Sequence, residues 1–177
     1  MSELQMKVAP AQPPEPWLRG TLTEVPTVAR AVLHALELAK EDVNRWCESL
    51  TDADLHARPF ELASIAFHLR HIARSCDRLL TYAEGNQLSS EQIVALKSEM
   101  DAGAGSREEL FAEYEKGLED AANRVRVLGA GDLAEARFVG KKQLPTSVGG
   151  LLVHVADHTQ RHVGQIVTTA KVLLKGK

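Results

Sequence analysis

The sequence predicts an all-α protein, a four-helix bundle with a short extra helix between its second and third long helices. Four long segments repeat apolar residues at steps of three and four, which is the spacing of one helix face. Segments with the alternating pattern of a β-strand are few. The chain of 177 residues is long enough for one domain with a sizeable core. Long amphipathic helices in such a domain bury their apolar stripes against one another.

The first two long helices are marked by their apolar stripes. The first is predicted to begin near Pro26, which suits a first helical turn, and its stripe runs to Leu50. A short connection begins at residues 51–54 and is closed by Pro59. The second long helix is expected from about residue 61 to residue 84, where a glycine and an asparagine follow as a stop signal.

Two capping boxes predict where the next two helices begin. Residues 89–92 read Ser-Ser-Glu-Gln and open the short extra helix, which is expected to reach about Met100. Residues 106–109 read Ser-Arg-Glu-Glu and open the third long helix, which ends at Leu128. Gly117 lies inside that helix at a cost of about 1 kcal/mol relative to alanine. We therefore expect another backbone to pass close to this glycine.

The fourth long helix follows a connection that is rich in glycine. Residues 129–145 are predicted to form a loop with room for one extended segment. Thr146 or Ser147 is expected to cap the helix, which runs to about Leu174. Gly164 within it is expected to let a neighbouring helix approach.

The N-terminal residues differ from the rest in composition. Residues 1–16 contain four prolines and are predicted to form an extended arm, so that the bundle comprises residues 17–177. No apolar segment near the N-terminus resembles a secretory signal, and no apolar run is long enough to cross a bilayer. We therefore expect no membrane partner.

Charge and cysteine content narrow the functional classes. The net charge is -3, and without a basic stripe this argues against a nucleic-acid partner. The only cysteines, Cys47 and Cys76, have no metal-type CxxC neighbour and are interpreted as free thiols. A cytoplasmic location is expected, since a disulfide scaffold is not indicated.

The most informative stretch lies near the C-terminal end, where His154, His158 and His162 recur at every fourth residue. On a helix such residues lie one turn apart on nearly the same face, and the apolar stripe of this helix carries His158 and His162. Buried imidazoles are costly unless a partner satisfies them. That partner could be a metal ion, which histidine pairs at this spacing suit, or a hydrogen-bonded network in the core.

A third ligand would come from another helix, because bundle metal sites are built from facing helices. Periodicity slightly favours His68, which shares the apolar face of the second long helix, over His71, which lies toward its edge. His34 flanks the stripe of the first long helix and is a candidate for lining the site. His154 could be a ligand, an outer hydrogen-bond donor or a surface residue. Gln165 could contact a ligand ring or face solvent.

Three neutral imidazoles form a chemically competent donor set. They leave a fourth position open on a tetrahedral ion, which can lower the pKa of bound water to about 7 or hold a thiolate. An all-histidine set suits zinc, nickel, iron or copper rather than ions that prefer oxygen. We expect a divalent ion, with zinc or nickel first and iron next.

Two motifs resemble those of a known family. Residues 64–73, Ser-Ile-Ala-Phe-His-Leu-Arg-His-Ile-Ala, together with residues 158–165, His-Thr-Gln-Arg-His-Val-Gly-Gln, resemble the DinB/YfiT-like superfamily. The resemblance implies a four-helix bundle, often dimeric, with a metal-binding histidine triad. It assigns the triad to His71, His158 and His162, and it makes His68 a neighbour that lines the pocket.

The resemblance also implies classes of chemistry. Similar proteins include thiol-dependent S-transferases, an isomerase that uses low-molecular-weight thiols, and metal-dependent hydrolases. We therefore expect a metal-dependent hydrolase or thiol-dependent transferase that acts on a small molecule, with a low-molecular-weight thiol as a second cofactor in the transferase case. The alternative is a non-catalytic dimeric bundle with a structural metal or a small-ligand pocket. A homodimer is expected in either case.

Overall fold

The protein is all-α apart from one small hairpin, as the sequence predicts. The structure is a computed structural model that describes residues 13–99 and 105–175. In chain order the helices are α1 (Thr27–Cys47), α2 (Asp52–His56), α3 (Ile65–Ala83), α4 (Ser90–Ser98), α5 (Arg107–Leu128) and α6 (Val148–Lys175). Two antiparallel strands, β1 (Ala136–Val139) and β2 (Leu144–Ser147), precede α6. Within the described ranges no helix has the length and apolar character needed to cross a membrane.

The four long helices close a ring around one core. Contacts join α1 to α6, α6 to α3, α3 to α5 and α5 back to α1. The first two long helices, α1 and α3, therefore lie on a diagonal of the bundle. The largest fully buried side chains come from all four: Val32 and Val43, Ile65, Leu69, Ile72 and Leu80, Leu110, Tyr114 and Val125, and Leu152 and Ile166. This arrangement places α3 and α6, which carry most of the histidines, side by side.

The connection from α1 to α3 contains more structure than predicted. Thr51 and Asp54 form a capping box that opens the five-residue α2, so the predicted connection contains a short helix that ends at His56. The second long helix begins at Ile65 and not near residue 61. The reason is local, because residues 60 and 61 have φ of 51° and 63°, in the left-handed region that an α-helix does not continue through.

The capping predictions for the later helices are confirmed. Ser89 and Ser106 are the N-caps of α4 and α5, each within a reciprocal capping box. Ser147 accepts a hydrogen bond from the backbone N–H of Gly150 at 3.1 Å, which caps the first turn of α6. The short helix ends at Ser98, and Met100 lies outside the described residues. The predicted loop before α6 contains two paired strands where one extended segment was expected.

The predicted N-terminal arm lies mainly outside the described residues, since the structure describes the chain from residue 13 onward. Pro16–Leu18 form a short 3-10 helix in which Pro16 is buried. Arg19 binds Glu41 through two hydrogen bonds of 2.6 and 2.8 Å and so attaches this segment to α1. The division at residue 16 stays a prediction.

Gly117 and Gly164 form a natural pair for testing helix packing. A Cβ on Gly117 would lie 2.6 Å from the Cβ of Ala73 on α3, so the predicted close approach is confirmed. A Cβ on Gly164 would meet no heavy atom within 4 Å, so the prediction of a packing role there is wrong. We expect Gly117→Ala to lower the free energy of unfolding by about 1–3 kcal/mol, because α3 and α5 must separate. Gly164→Ala should raise it by up to about 1 kcal/mol through helix propensity alone.

Urea unfolding of the two variants and the wild type measures both effects. The variants carry the same chemical change in a long helix and differ only in what the new methyl group meets. Equal effects on stability, in either direction, would contradict the close α3–α5 packing.

Candidate metal centre

The histidines of the candidate site come from two neighbouring helices. On α6, Val155, Thr159, Val163 and Ile166 are buried, and His158 and His162 on the same side are half-buried. On α3, His68 is buried and His71 is half-buried. Because α3 and α6 are in contact, all four rings face one narrow space between them.

Three of these rings converge. His71, His158 and His162 each offer one ring nitrogen, and these atoms all lie within 4.8 Å of one another. The Nε2 atoms of His71 and His158 are 2.9 Å apart, and the ring centroids of His71 and His162 are 4.4 Å apart. Nitrogen ligands around a tetrahedral ion at about 2.1 Å lie roughly 3.4 Å from one another. The cluster therefore fits one ion of this size.

The protonation state of the two α6 histidines suits them to bind a metal ion. Burial, followed by the charge of the neighbouring His71, lowers the pKa of His158 to about 4 and that of His162 to about 3. Both rings are therefore neutral at pH 7, which is the form that binds a metal ion.

The outer nitrogen of His71 faces a buried carboxylate. His71 Nδ1 lies 2.8 Å from Glu99 Oε2, and Glu99 also forms a buried ion pair with Arg78 on α3. Burial alone would raise the pKa of Glu99, but the hydrogen bonds from His71 and Arg78 leave it lowered. Glu99 is thus a carboxylate that accepts the His71 Nδ1–H, and the lone pair of Nε2 then points toward His158.

His68 is an outer partner of the cluster and not a member of it. Its Nδ1 lies 3.0 Å from His162 Nδ1, and only one of the two atoms can carry the proton between them. Burial lowers the pKa of His68 to about 4, so its ring is neutral at pH 7. When His162 donates this hydrogen bond, its other nitrogen is free to ligate. The convergent triad thus contains His71, as the family resemblance implies, where periodicity slightly favoured His68.

Two cavities border histidines of the site, one at His68 and the other at His71 and His158. The first cavity, of about 380 Å³, is lined by His68, Arg161, Gly164 and Gln165 together with residues 62–63 and 168–169. The second cavity, of about 250 Å³, is lined by His71, Ser75, Arg78, Leu79, Tyr82, Leu88, Leu96, His154 and His158. Of the candidates predicted to line the pocket, three thus border these cavities.

The remaining predicted candidate, His34, borders neither cavity, and two acidic residues near the histidines in the sequence are paired with arginines. His34 is buried on α1, and its Nε2 lies 3.1 Å from Thr21 Oγ1. Asp157 binds Arg161 one turn along α6, and Asp77 binds Arg124 on α5. Sequence reasoning missed Glu99, whose place after the short helix α4 carries no periodic signal toward α3.

Fold and site together define a class of protein, a four-helix bundle with a three-histidine cluster suited to a metal ion. A family model described as the DinB superfamily matches residues 35–166, which include the whole cluster. The chain therefore belongs to the DinB superfamily, as its motifs indicate. The search of curated proteins found no match to the sequence.

Proposed function

We propose that the protein is a metal-dependent enzyme, either a hydrolase or a thiol-dependent transferase. The observation that carries this proposal is the convergence of His71, His158 and His162, whose ring nitrogens lie within 4.8 Å of one another. Neutral α6 imidazoles and a His71 ring oriented by Glu99 fit a divalent ion, with zinc, nickel or iron as candidates. When bound, such an ion would act as a Lewis acid toward water or a thiol.

The cavities support a small-molecule substrate. The second cavity is bordered by His71 and His158 and has an apolar rim that includes Leu79 and Leu96. Its volume of about 250 Å³ lies just below the usual range for ligand pockets, about 300–1,000 Å³, so it would take only a small ligand or part of a larger one. A substrate entering there would lie beside two of the three proposed metal ligands.

A transferase reaction would need a thiol from outside the chain. Cys47 and Cys76 are both buried in the core, and burial raises the pKa of each to about 11. Neither thiol is an effective nucleophile at neutral pH, since the thiolate is the reactive form. This supports a low-molecular-weight thiol as the second cofactor.

A structural ion in a non-catalytic bundle is the second candidate. It is favoured by the same outer contacts, because Glu99 and His68 hold two rings of the triad in fixed orientations. An ion at this site would join α3 to α6 and stabilise the bundle whether or not it took part in a reaction.

Reconstitution separates the two candidates. Protein purified without an affinity tag is stripped with a chelator, reloaded with zinc, nickel or iron, and assayed for ester hydrolysis and for conjugation of a small thiol to an electrophile. Turnover by the loaded wild type, absent from the stripped protein and from His162→Ala, is the expected result. Turnover that survives chelation would contradict the proposal. A metal that raises only the melting temperature would favour the structural ion.

The expected homodimer and cytoplasmic location stay predictions. Light scattering after size-exclusion chromatography measures the oligomeric state, for which we expect a mass of twice 19.4 kDa. A mass equal to one chain would contradict the homodimer.

A further inference from the structure

We propose that Glu99 is a positioning residue of the metal centre and that it couples the docking of α4 to metal binding. The proposal rests on the metal site of the proposed function. Glu99 lies directly after α4, yet its side chain reaches the His71 ring on α3. An ion at His71 and the segment that ends in Glu99 would thus share one imidazole ring.

Burial singles out Glu99 within its segment. It is 4% exposed, whereas no residue of α4 itself is buried. The apolar side chains Ile93, Val94 and Leu96 all remain exposed. Apolar packing therefore contributes little to holding α4 on the bundle, and the buried polar contacts of Glu99 are its deepest attachment.

Arg78 fixes the Glu99 carboxylate in place. Arg78 follows His71 by seven residues, so both project from the same face of α3 after two turns. One carboxylate oxygen accepts a hydrogen bond from Arg78 Nη1, and the other lies 2.8 Å from His71 Nδ1. Arg78 Nη2 also lies 3.5 Å from the second oxygen, so the guanidinium contacts both oxygens of the carboxylate while the second one faces the ring.

The chemistry of imidazole makes metal binding at His71 and the docking of α4 through Glu99 depend on each other. A neutral ring carries one proton, so a carboxylate that accepts from Nδ1 leaves the lone pair on Nε2, where a metal binds. A cation on Nε2 makes the Nδ1–H a stronger donor and so strengthens its bond to Glu99. Coupling of this kind is reciprocal, so the ion should stabilise the docked α4 as much as Glu99 stabilises the bound ion.

The first test measures zinc affinity in the full chain by competition with a chromophoric chelator. We expect Glu99→Gln to weaken zinc binding by about 10- to 100-fold, the usual effect of losing an outer hydrogen-bond partner. Glu113→Gln is the matched control, because Glu113 also binds arginines of α3, Arg70 and Arg74, but forms no hydrogen bond to a histidine within residues 13–99 and 105–175. The control should bind zinc as the wild type does.

Two further readouts separate positioning from a general loss of stability. In the wild type, zinc should slow amide hydrogen exchange in residues 90–99, and in Glu99→Gln this protection should disappear. Nitrogen NMR of the imidazoles should show the His71 proton on Nδ1 in the wild type and a mixture of tautomers in the variant. Glu99→Gln leaves the buried guanidinium of Arg78 without its carboxylate partner. If this variant folds poorly for that reason, the double variant Arg78→Met/Glu99→Gln, which removes both charges, is used in its place in all measurements.

The outcomes distinguish this proposal from the proposed function. If the wild type binds zinc and Glu99→Gln binds it equally tightly, with unchanged exchange in α4, Glu99 has no positioning role. If the wild type binds none of zinc, nickel or iron, the metal site itself is overturned, and the coupling fails with it. Weaker zinc binding by Glu99→Gln, together with the loss of the zinc-dependent slowing of hydrogen exchange in α4, would support both the metal site and the positioning role of Glu99.

Discussion

Replacement of His158 by alanine is expected to lower the affinity for a divalent ion by on the order of 100- to 1,000-fold. Structural zinc sites with four ligands bind with about 10–16 kcal/mol, or roughly 3 kcal/mol for each ligand. His158 is a member of the converging triad, and its Nε2 lies 2.9 Å from His71 Nε2. Without it only two imidazoles remain, from different helices, and they cannot enclose the ion.

His154→Ala provides the comparison for this measurement. His154 lies one turn before His158 on α6 and is half-exposed, and its Nδ1 is 3.6 Å from Asp157. It lies outside the converging triad, so the alanine variant should retain the metal affinity of the wild type within a few-fold. Chelator competition on both variants and on the wild type gives the three affinities. Similar losses in both variants, or no loss in either, would contradict the assignment of the α6 ligands.

Replacement of Arg78 by methionine is expected to lower the free energy of unfolding by about 3–5 kcal/mol. The Glu99 carboxylate, 4% exposed, would then lose the guanidinium that pairs with it. Removing one partner of a buried ion pair leaves an uncompensated charge, and this is the usual size of the penalty. Urea unfolding of the metal-free protein at pH 7 measures the effect without a contribution from the ion.

Two further variants test whether the unpaired charge of Glu99 causes this loss of stability. Arg78→Met/Glu99→Gln removes both charges and should recover most of the lost stability, since a neutral replacement of a buried pair is often tolerated. Arg74→Met removes one of the two arginine partners of Glu113, which is about a third exposed, and should cost no more than about 1 kcal/mol. A loss in Arg78→Met no larger than that in Arg74→Met would show that Glu99 is not held as a buried charge.

The parts of the fold that depend on local signals could be predicted from the sequence. Apolar periodicity identified the four long helices, and the capping-box spacing of Ser89 to Gln92 and of Ser106 to Glu109 identified two helix starts to the residue. The side of α6 that carries His158 and His162 followed from the same periodicity. These predictions succeed because each depends on residues within one or two turns of one another.

The partners across helices could not be predicted in this way. His71 lies at the edge of an apolar face, and periodicity alone preferred its neighbour His68. In the structure it is a ring nitrogen of His71 that converges with His158 and His162, and the other ring nitrogen faces Glu99, 28 residues along the chain. Likewise, a glycine inside a helix can lie against a neighbouring helix or in open space. Gly117 lies against Ala73 of α3, whereas Gly164 has no neighbour within 4 Å of an added Cβ, and the sequence of the glycine's own helix does not distinguish the two cases.

Zinc titration of the stripped protein, followed by X-ray absorption spectroscopy of the bound ion, tests the central claim most directly. We predict one ion per chain, with three imidazole nitrogens at about 2.0–2.1 Å. The triple variant His71→Ala/His158→Ala/His162→Ala should give no such site. Binding well below one ion per chain, or a spectrum that the triple variant reproduces, would contradict the claim that these three side chains hold a metal.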